Sequence, residues 1–187
     1  MVRLWQRLLK LNLEPVLFRR NAIQVKNSCR KSGMVFGAAI AVGDFDGDGF
    51  DDLVVGTPNE DLGRSNQLKN AGVITASYGS PTGLNDPVLM HQYSPGIGTH
   101  SEVGDLFGAA LDSGDINGDG YDDLVVGVPG EGIARRSRAG AIHVLYGSAS
   151  GLSGIGSNLF HQNTPGIKSN AEAVSYTHLT LPTNREV

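Results

Sequence analysis

Apolar and polar positions alternate over short stretches separated by glycine-rich turns, and no stretch sustains the three-to-four-residue spacing of a long amphipathic helix. Four short strands are expected in the first half. Phe36–Gly43 opens the series, Leu53–Gly56 is brief and wholly apolar, and Val73–Tyr78 alternates Ile74, Ala76 and Tyr78 against Val73, Thr75 and Ser77. Val88–Tyr93 is a weaker fourth. In the second half the same phase places Ile142, Val144 and Tyr146 inward and His143 on the face that carries Thr75. Leu53-Val54-Val55 and Leu124-Val125-Val126 lack alternation, as strands covered on both faces do.

The order of elements repeats because the sequence does. FGAAIAVGDFDGDGFDDLVVGTP (Phe36–Pro58) returns as FGAALDSGDINGDGYDDLVVGVP (Phe107–Pro129), identical at 16 of 23 positions. AGVITASYGSPTGL (Ala71–Leu84) is answered by AGAIHVLYGSASGL (Ala139–Leu152), and His91-Gln92 with Pro95-Gly96-Ile97 by His161-Gln162 with Pro165-Gly166-Ile167. Small insertions fall between these motifs, where loops tolerate them. Four short strands per unit cannot form a stable sheet alone, so the pattern points to an all-β fold of stacked propeller blades.

Composition sharpens this picture. Among 187 residues there are 26 Gly, which suits tight turns, and only 8 Pro without a third-residue glycine period, which excludes a collagen-like chain. The net charge of −4 divides unevenly: residues 1–31 hold eight basic groups and one acid, while residues 32–187 hold seven basic groups and 18 acids. An acidic body is a poor match for nucleic acid. Cys29 is alone and can form neither an internal disulfide nor a cysteine-rich zinc site. No apolar run reaches the ~18 residues of a membrane span. Residues 1–35 are set apart as a basic leader. Leu4, Trp5, Leu8 and Leu9 interleave there with Arg3, Arg7 and Lys10, a pattern that reads either as a basic amphipathic helix or as a start that is not native to the domain.

Nine of the 19 acids lie in two nine-residue loops between the first and second strands of each unit, residues 44–52 and 115–123. Oxygens at loop positions 1, 3, 5 and 9, with the backbone carbonyl at position 7, can converge on one hard cation. Gly49 and Gly120, at position 6, allow the sharp turn this needs. Zinc would want imidazole or thiolate, and magnesium a tighter octahedron, so calcium fits best. An EF-hand would place Glu at position 12, where these loops have Val55 and Val126. Asp and Gly also favour plain hairpin turns, but a turn does not require acids at alternating positions twice over. The first loop offers four carboxylates. The second offers three and the Asn117 amide, so the first should bind more tightly, both within the weak extracellular range of roughly 10⁻⁴ to 10⁻³ M. Asp51 and Asp122, at position 8, are expected to face solvent.

With these motifs in hand, the sequence resembles the FG-GAP repeat family, the calcium-binding β-propeller repeats of integrin α subunits and of many secreted bacterial proteins. The carriers are Phe36-Gly37 and Phe107-Gly108, the two D-x-[DN]-x-D-G-x-x-D loops, and Gly56-Thr57-Pro58 and Gly127-Val128-Pro129 in the GAP position, both altered at the middle residue. YGS-x-x-GL and PGI-x-x-x-x-E-x-GD-x-FG are closest to the bacterial branch. The resemblance covers Phe36 to Ala173. It implies a seven-bladed propeller, of which this chain would hold about two blades, at residues 36–106 and 107–173. It also implies two calcium sites, formed by Asp44, Asp46, Asp48, Asp52 and the Phe50 carbonyl, and by Asp115, Asn117, Asp119, Asp123 and the Tyr121 carbonyl. Val174–Val187 replaces the next expected FG motif and is read as an unrelated tail on a fragment of a longer protein.

Two functions are compatible with these residues. The first is a non-catalytic extracellular adhesion or binding module presenting loops to a protein or glycan, its remaining partners being the other blades of the propeller. The second is a non-catalytic segment of a larger secreted hydrolase or lyase. The sequence holds no G-x-S-x-G, no H-E-x-x-H and no phosphate-binding G-x-x-x-x-G-K-[ST]. His91 and His161 share a repeat position, which reads as framework. Arg135, Arg136 and Arg138 form the only basic cluster of the acidic body and read as a solvated loop.

Overall fold

A computed structural model describes residues 35–63 and 67–167; the expectations placed on residues 1–34 and 168–187 fall outside them. Strands β1 (Ala39–Gly43), β2 (Asp52–Thr57), β3 (Val73–Ser77) and β4 (Val88–Met90) form one four-stranded sheet in the order β1-β2-β3-β4. Strands β5 (Ala110–Gly114), β6 (Asp123–Val128), β7 (Ala141–Tyr146) and β8 (Ser153–His161) repeat that order in a second sheet. Every neighbouring pair is antiparallel, and the described residues contain no helix. Two such meanders packed side by side are propeller blades.

The registers preserve the repeat. Ala41 opposes Val54 and Ile74 opposes Met90 in the first blade; Asp112 opposes Val125 and Ile142 opposes Phe160 in the second. The fourth strand of the first blade is shorter than the expected Val88–Tyr93 and ends at Met90. There the chain turns, with the Ser94 and Ile97 N–H groups donating to the carbonyls of His91 and Ser94. In both blades the histidine at this turn acts as framework: His91 Nδ1 accepts the Tyr93 N–H and His161 Nδ1 accepts the Asn163 N–H, each at 3.1 Å.

One hydrophobic core spans both sheets. Val54, Ile74, Ala76 and Met90 from the first blade meet Phe107, Leu124, Val126 and Leu145 from the second, with Phe45 of the first acidic loop fully buried among them. Burying one such side chain contributes ~2 kcal/mol. The sheets approach closely because glycine allows it: a Cβ on Gly56 would overlap the carbonyl oxygen of Gly108. Hydrogen bonds stitch the same seam, from the N–H groups of Gly104, Leu106 and Phe107 to the carbonyls of Lys69, Asn70 and Ala71, and from Ser113 Oγ to the Val42 carbonyl at 2.8 Å.

The expected inward set of β7 needs correction. Ile142 is exposed and Tyr146 half-buried, whereas His143 is fully buried. His143 lies on the side turned towards the first blade, edge-on to the Phe107 ring, with centroids 5.9 Å apart. The alternation along β7 holds, but both faces of a blade turn inward once neighbours stand on both sides, and only one neighbour is among the described residues.

Candidate metal centre

Each acidic loop is wound around its first aspartate. Asp44 Oδ1 accepts the N–H groups of Gly47 and Asp48 at 2.8 and 3.1 Å, and Asp44 Oδ2 accepts that of Gly49 at 3.0 Å. In the second loop Asp115 Oδ1 accepts from Gly118 and Asp119 at 2.7 and 3.1 Å, and Oδ2 from Gly120 at 3.1 Å. The later positions match as well. Asp46 Oδ1 accepts the Asp48 N–H and Asp48 Oδ1 the Phe50 N–H, as Asn117 Oδ1 and Asp119 Oδ1 accept those of Asp119 and Tyr121. Gly47, Gly49, Gly118 and Gly120 all have positive φ, which lets the N–H groups turn towards the carboxylates.

The winding gathers charge. Asp44, Asp46 and Asp48 each bring a carboxylate oxygen to within 4.8 Å of the others. Burial raises the Asp46 carboxyl above its usual value, and the Asp48 and Asp44 carboxylates add to the rise. In the second loop the middle member is an amide, and Asn117 Nδ2 donates to Asp119 Oδ2 at 2.9 Å. An amide thus relieves in one loop the repulsion that the other retains. A donor set of carboxylate and amide oxygens, partly exposed and without sulfur or imidazole, fits a hard divalent cation.

Position 9 is placed differently from positions 1, 3 and 5. Asp52 is buried and outside the group of three; its Oδ2 accepts the Phe45 N–H at 2.8 Å and its Oδ1 the Gly79 N–H at 2.7 Å. Asp123 repeats this with Ile116 and Gly147, both at 3.0 Å. These carboxylates clamp the loop to the end of the third strand, and each oxygen keeps a second lone pair. Burial pushes Asp52 up to about 7 against the lowering effect of its two N–H donors, with Asp46 and Asp44 adding to the rise.

Asp51 and Asp122 are half-buried and do not face solvent as expected. Asp122 Oδ2 accepts the Asp44 N–H at 3.0 Å, while the Asp122 N–H donates to the Asp44 carbonyl at 2.9 Å. The first residue of one loop is therefore held by the eighth residue of the other. A single-unit reading cannot find this, because the contact runs between repeats.

A second polar cluster lies between the blades. Gln92 Nε2 donates to Glu131 Oε2 at 2.5 Å and to Thr99 Oγ1 at 3.2 Å, and Thr99 Oγ1 meets His143 Nε2 at 3.0 Å. Gln92, Glu131, His143 and nearby Asp105 are all buried. Burial pushes Glu131 up to about 7, with Asp105 adding to the rise, and pushes His143 down to about 4. The recurrence of Gln92 as Gln162 and of Glu60 as Glu131 was the available sequence signal.

With fold and loops described, comparison with known proteins assigns the class. The FG-GAP repeat family matches residues 36–83 and 107–145. The chain carries FG-GAP repeats, built as all-β propeller blades. It is similar to Integrin alpha-PS2 of Drosophila melanogaster, 34% identical over 133 residues, 65% of this chain and 8% of that one. It is also similar to Integrin alpha pat-2 of Caenorhabditis elegans, 32% identical over 145 residues, 70% of this chain and 11% of that one. Phosphatidylinositol-glycan-specific phospholipase D of Bos taurus is 34% identical over 117 residues, 62% of this chain and 14% of that one. The matched stretch is thus a small part of each relative.

Proposed function

We propose that the chain is a calcium-binding FG-GAP propeller segment of an extracellular, non-catalytic adhesion or binding module. The observation that carries this reading is the duplicated loop: two sequences differing at positions 2, 3 and 7 adopt the same network of side-chain-oxygen-to-N–H hydrogen bonds and the same positive-φ glycines. Asp44, Asp46, Asp48, Asp52 and the Phe50 carbonyl would hold one ion, and Asp115, Asn117, Asp119, Asp123 and the Tyr121 carbonyl the other. The ions would be structural, neutralising charge that the loops concentrate and fixing the β1–β2 and β5–β6 turns. Similarity to integrin α subunits supports cell-surface adhesion, with further blades and a protein or glycan as partners.

A second reading is favoured by the phospholipase D match: the segment would be a non-catalytic part of a larger secreted enzyme. Both readings share the calcium loops. Titrating the full chain with Ca²⁺ by calorimetry should show two sites, with Asp48→Ala removing the tighter and Asp119→Ala the weaker. Heat unchanged from buffer, or binding indifferent to both substitutions, would sink the assignment.

A further inference from the structure

Asn117 stands where the first loop has Asp46, and Gly118 follows it. This is the one Asn-Gly pair in the chain, and both of its residues are exposed. The glycine matters because a peptide nitrogen whose own residue lacks a Cβ can approach the preceding side chain closely. Gly118 has a φ of 78°, and a Cβ built on it would meet no atom within 4 Å.

Three hydrogen bonds set out the parts of a ring closure. The Gly118 N–H donates to Asp115 Oδ1 at 2.7 Å, which puts a carboxylate where the amide proton must go if that nitrogen is to act as a nucleophile. Asn117 Oδ1 accepts the Asp119 N–H at 2.9 Å, so a donor already faces the oxygen on which negative charge would develop. Asn117 Nδ2 donates to Asp119 Oδ2, also at 2.9 Å. Both ends of the side-chain amide are thus tied to the residue two places on, and the amide folds over the Gly118 peptide between them.

We propose that Asn117 is a site of self-modification in the ion-free loop: the Gly118 nitrogen bonds to Asn117 Cγ, the Cγ–Nδ2 bond breaks, and ammonia leaves with the proton that Asp115 relays. The resulting succinimide takes up water. Opening at Cγ leaves an aspartate at position 117 and so gives the loop the donor set of the first; opening at the main-chain carbonyl leaves an isoaspartate, whose longer backbone displaces the N–H groups wound around Asp115. The first loop is an internal control. Asp46-Gly47 has the same arrangement, with Gly47 at φ 72°, but a carboxylate resists attack and has no ammonia to lose. Calcium held by the second loop would engage the Asp115 and Asp119 carboxylates and the Asn117 amide oxygen, occupying the base and fixing the amide. That protection rests on the calcium reading; the reaction of the ion-free chain does not.

Peptide mapping by mass spectrometry of the full chain, incubated at neutral pH in heavy-oxygen water with either a chelator or calcium, tests both statements. Under chelation the peptide containing residue 117 should lose its amide and gain the heavy label, in aspartate and isoaspartate forms, while Asn85, exposed and followed by Asp86, stays intact. With free calcium at about ten times the Kd of the site, about a tenth of the loops are ion-free, and the rate should fall ~10-fold. Asp115→Asn removes the base and should slow the reaction under chelation at least ~10-fold. Asn117 intact under chelation, reacting no faster than Asn85, or reacting at a rate unchanged by Asp115→Asn would overturn the proposal. A rate indifferent to calcium that calorimetry shows to be bound would overturn the protection, whereas an indifferent rate with no heat of binding would strike the calcium reading and leave the modification standing.

Discussion

Ile74 and Ile142 occupy one position of the repeat, yet the first is wholly buried and the second largely exposed; Phe107 and Phe36 show the same inversion at the other edge. Nothing in either blade's own sequence distinguishes the members of these pairs. The difference comes from the neighbour: the second blade stands on the Ile74 face of the first, and no described residue stands on the Ile142 face of the second. In a stacked repeat the energy of a residue belongs to the interface between units as much as to its unit. Equivalent substitutions in the two blades should therefore have unequal costs.

The sharpest contrast is between two glycines. Gly56 and Gly127 close the same strand, but a Cβ on Gly56 would overlap the Gly108 carbonyl, whereas on Gly127 the nearest atom is the Ala110 Cβ at 3.1 Å. Gly56→Ala should cost ~3 kcal/mol and Gly127→Ala less than ~1 kcal/mol. Denaturant titration of the full chain in saturating calcium measures both. Equal costs would mean that the two blades do not pack as described.

The interior of the junction should also show itself through pH. Glu131, held up to about 7 chiefly by burial, binds a proton in the folded chain where the unfolded chain has lost it, as does Asp105, which burial likewise raises. The Glu131 contribution is present below the unfolded carboxylate range and is lost as pH rises through about 7, and Asp105 works in the same direction. His143, pushed down to about 4 by burial, works in the opposite sense: its contribution is present above the unfolded histidine value and is lost as pH falls towards 4. Glu131→Gln removes the first effect while leaving an acceptor for Gln92. Its melting temperature should exceed the parent's by roughly 5 °C at pH 8, corresponding to ~2 kcal/mol, and match it at pH 4.5. A constant difference across that range would remove Glu131 from the junction's titration.

What sequence made legible follows from the same distinction between unit and interface. Strand identity, the acidic loops and the repeat itself are local patterns, and Asp52–Thr57 and Asp123–Val128 fall where apolar runs predicted strands. Fold class was also legible, because short strands recurring between turns admit few architectures. The exposure of Ile142, the burial of His143 and the Asp122 bond to Asp44 were not, since each is fixed by the adjoining blade. The departure at His143 is instructive. Its counterpart Thr75 is also buried, so phase alone is silent on why imidazole stands there; the reason is Thr99 across the seam and the Phe107 ring of its own blade.

The smallest expected effect probes how far one loop depends on the other. Asp44 is the winding point of the first loop, and its N–H and carbonyl are both bonded to Asp122 of the second. Removing the Asp122 carboxylate leaves the Asp44 N–H without that acceptor, a loss of ~1 kcal/mol, or about fivefold in affinity if it falls wholly on the ion-binding conformation. Asp119→Ala isolates the first loop's site, so the comparison is between Asp119→Ala alone and Asp119→Ala with Asp122→Ala. Calcium affinity at the first loop should fall about fivefold in the double variant, and Asp122→Asn in the same background should restore most of it, because the amide oxygen can still accept the N–H. Equal losses for Ala and Asn would assign the effect to the carboxylate's charge acting through space. No loss for either would show that each loop is self-sufficient, and that the coupling between blades stops at the apolar seam.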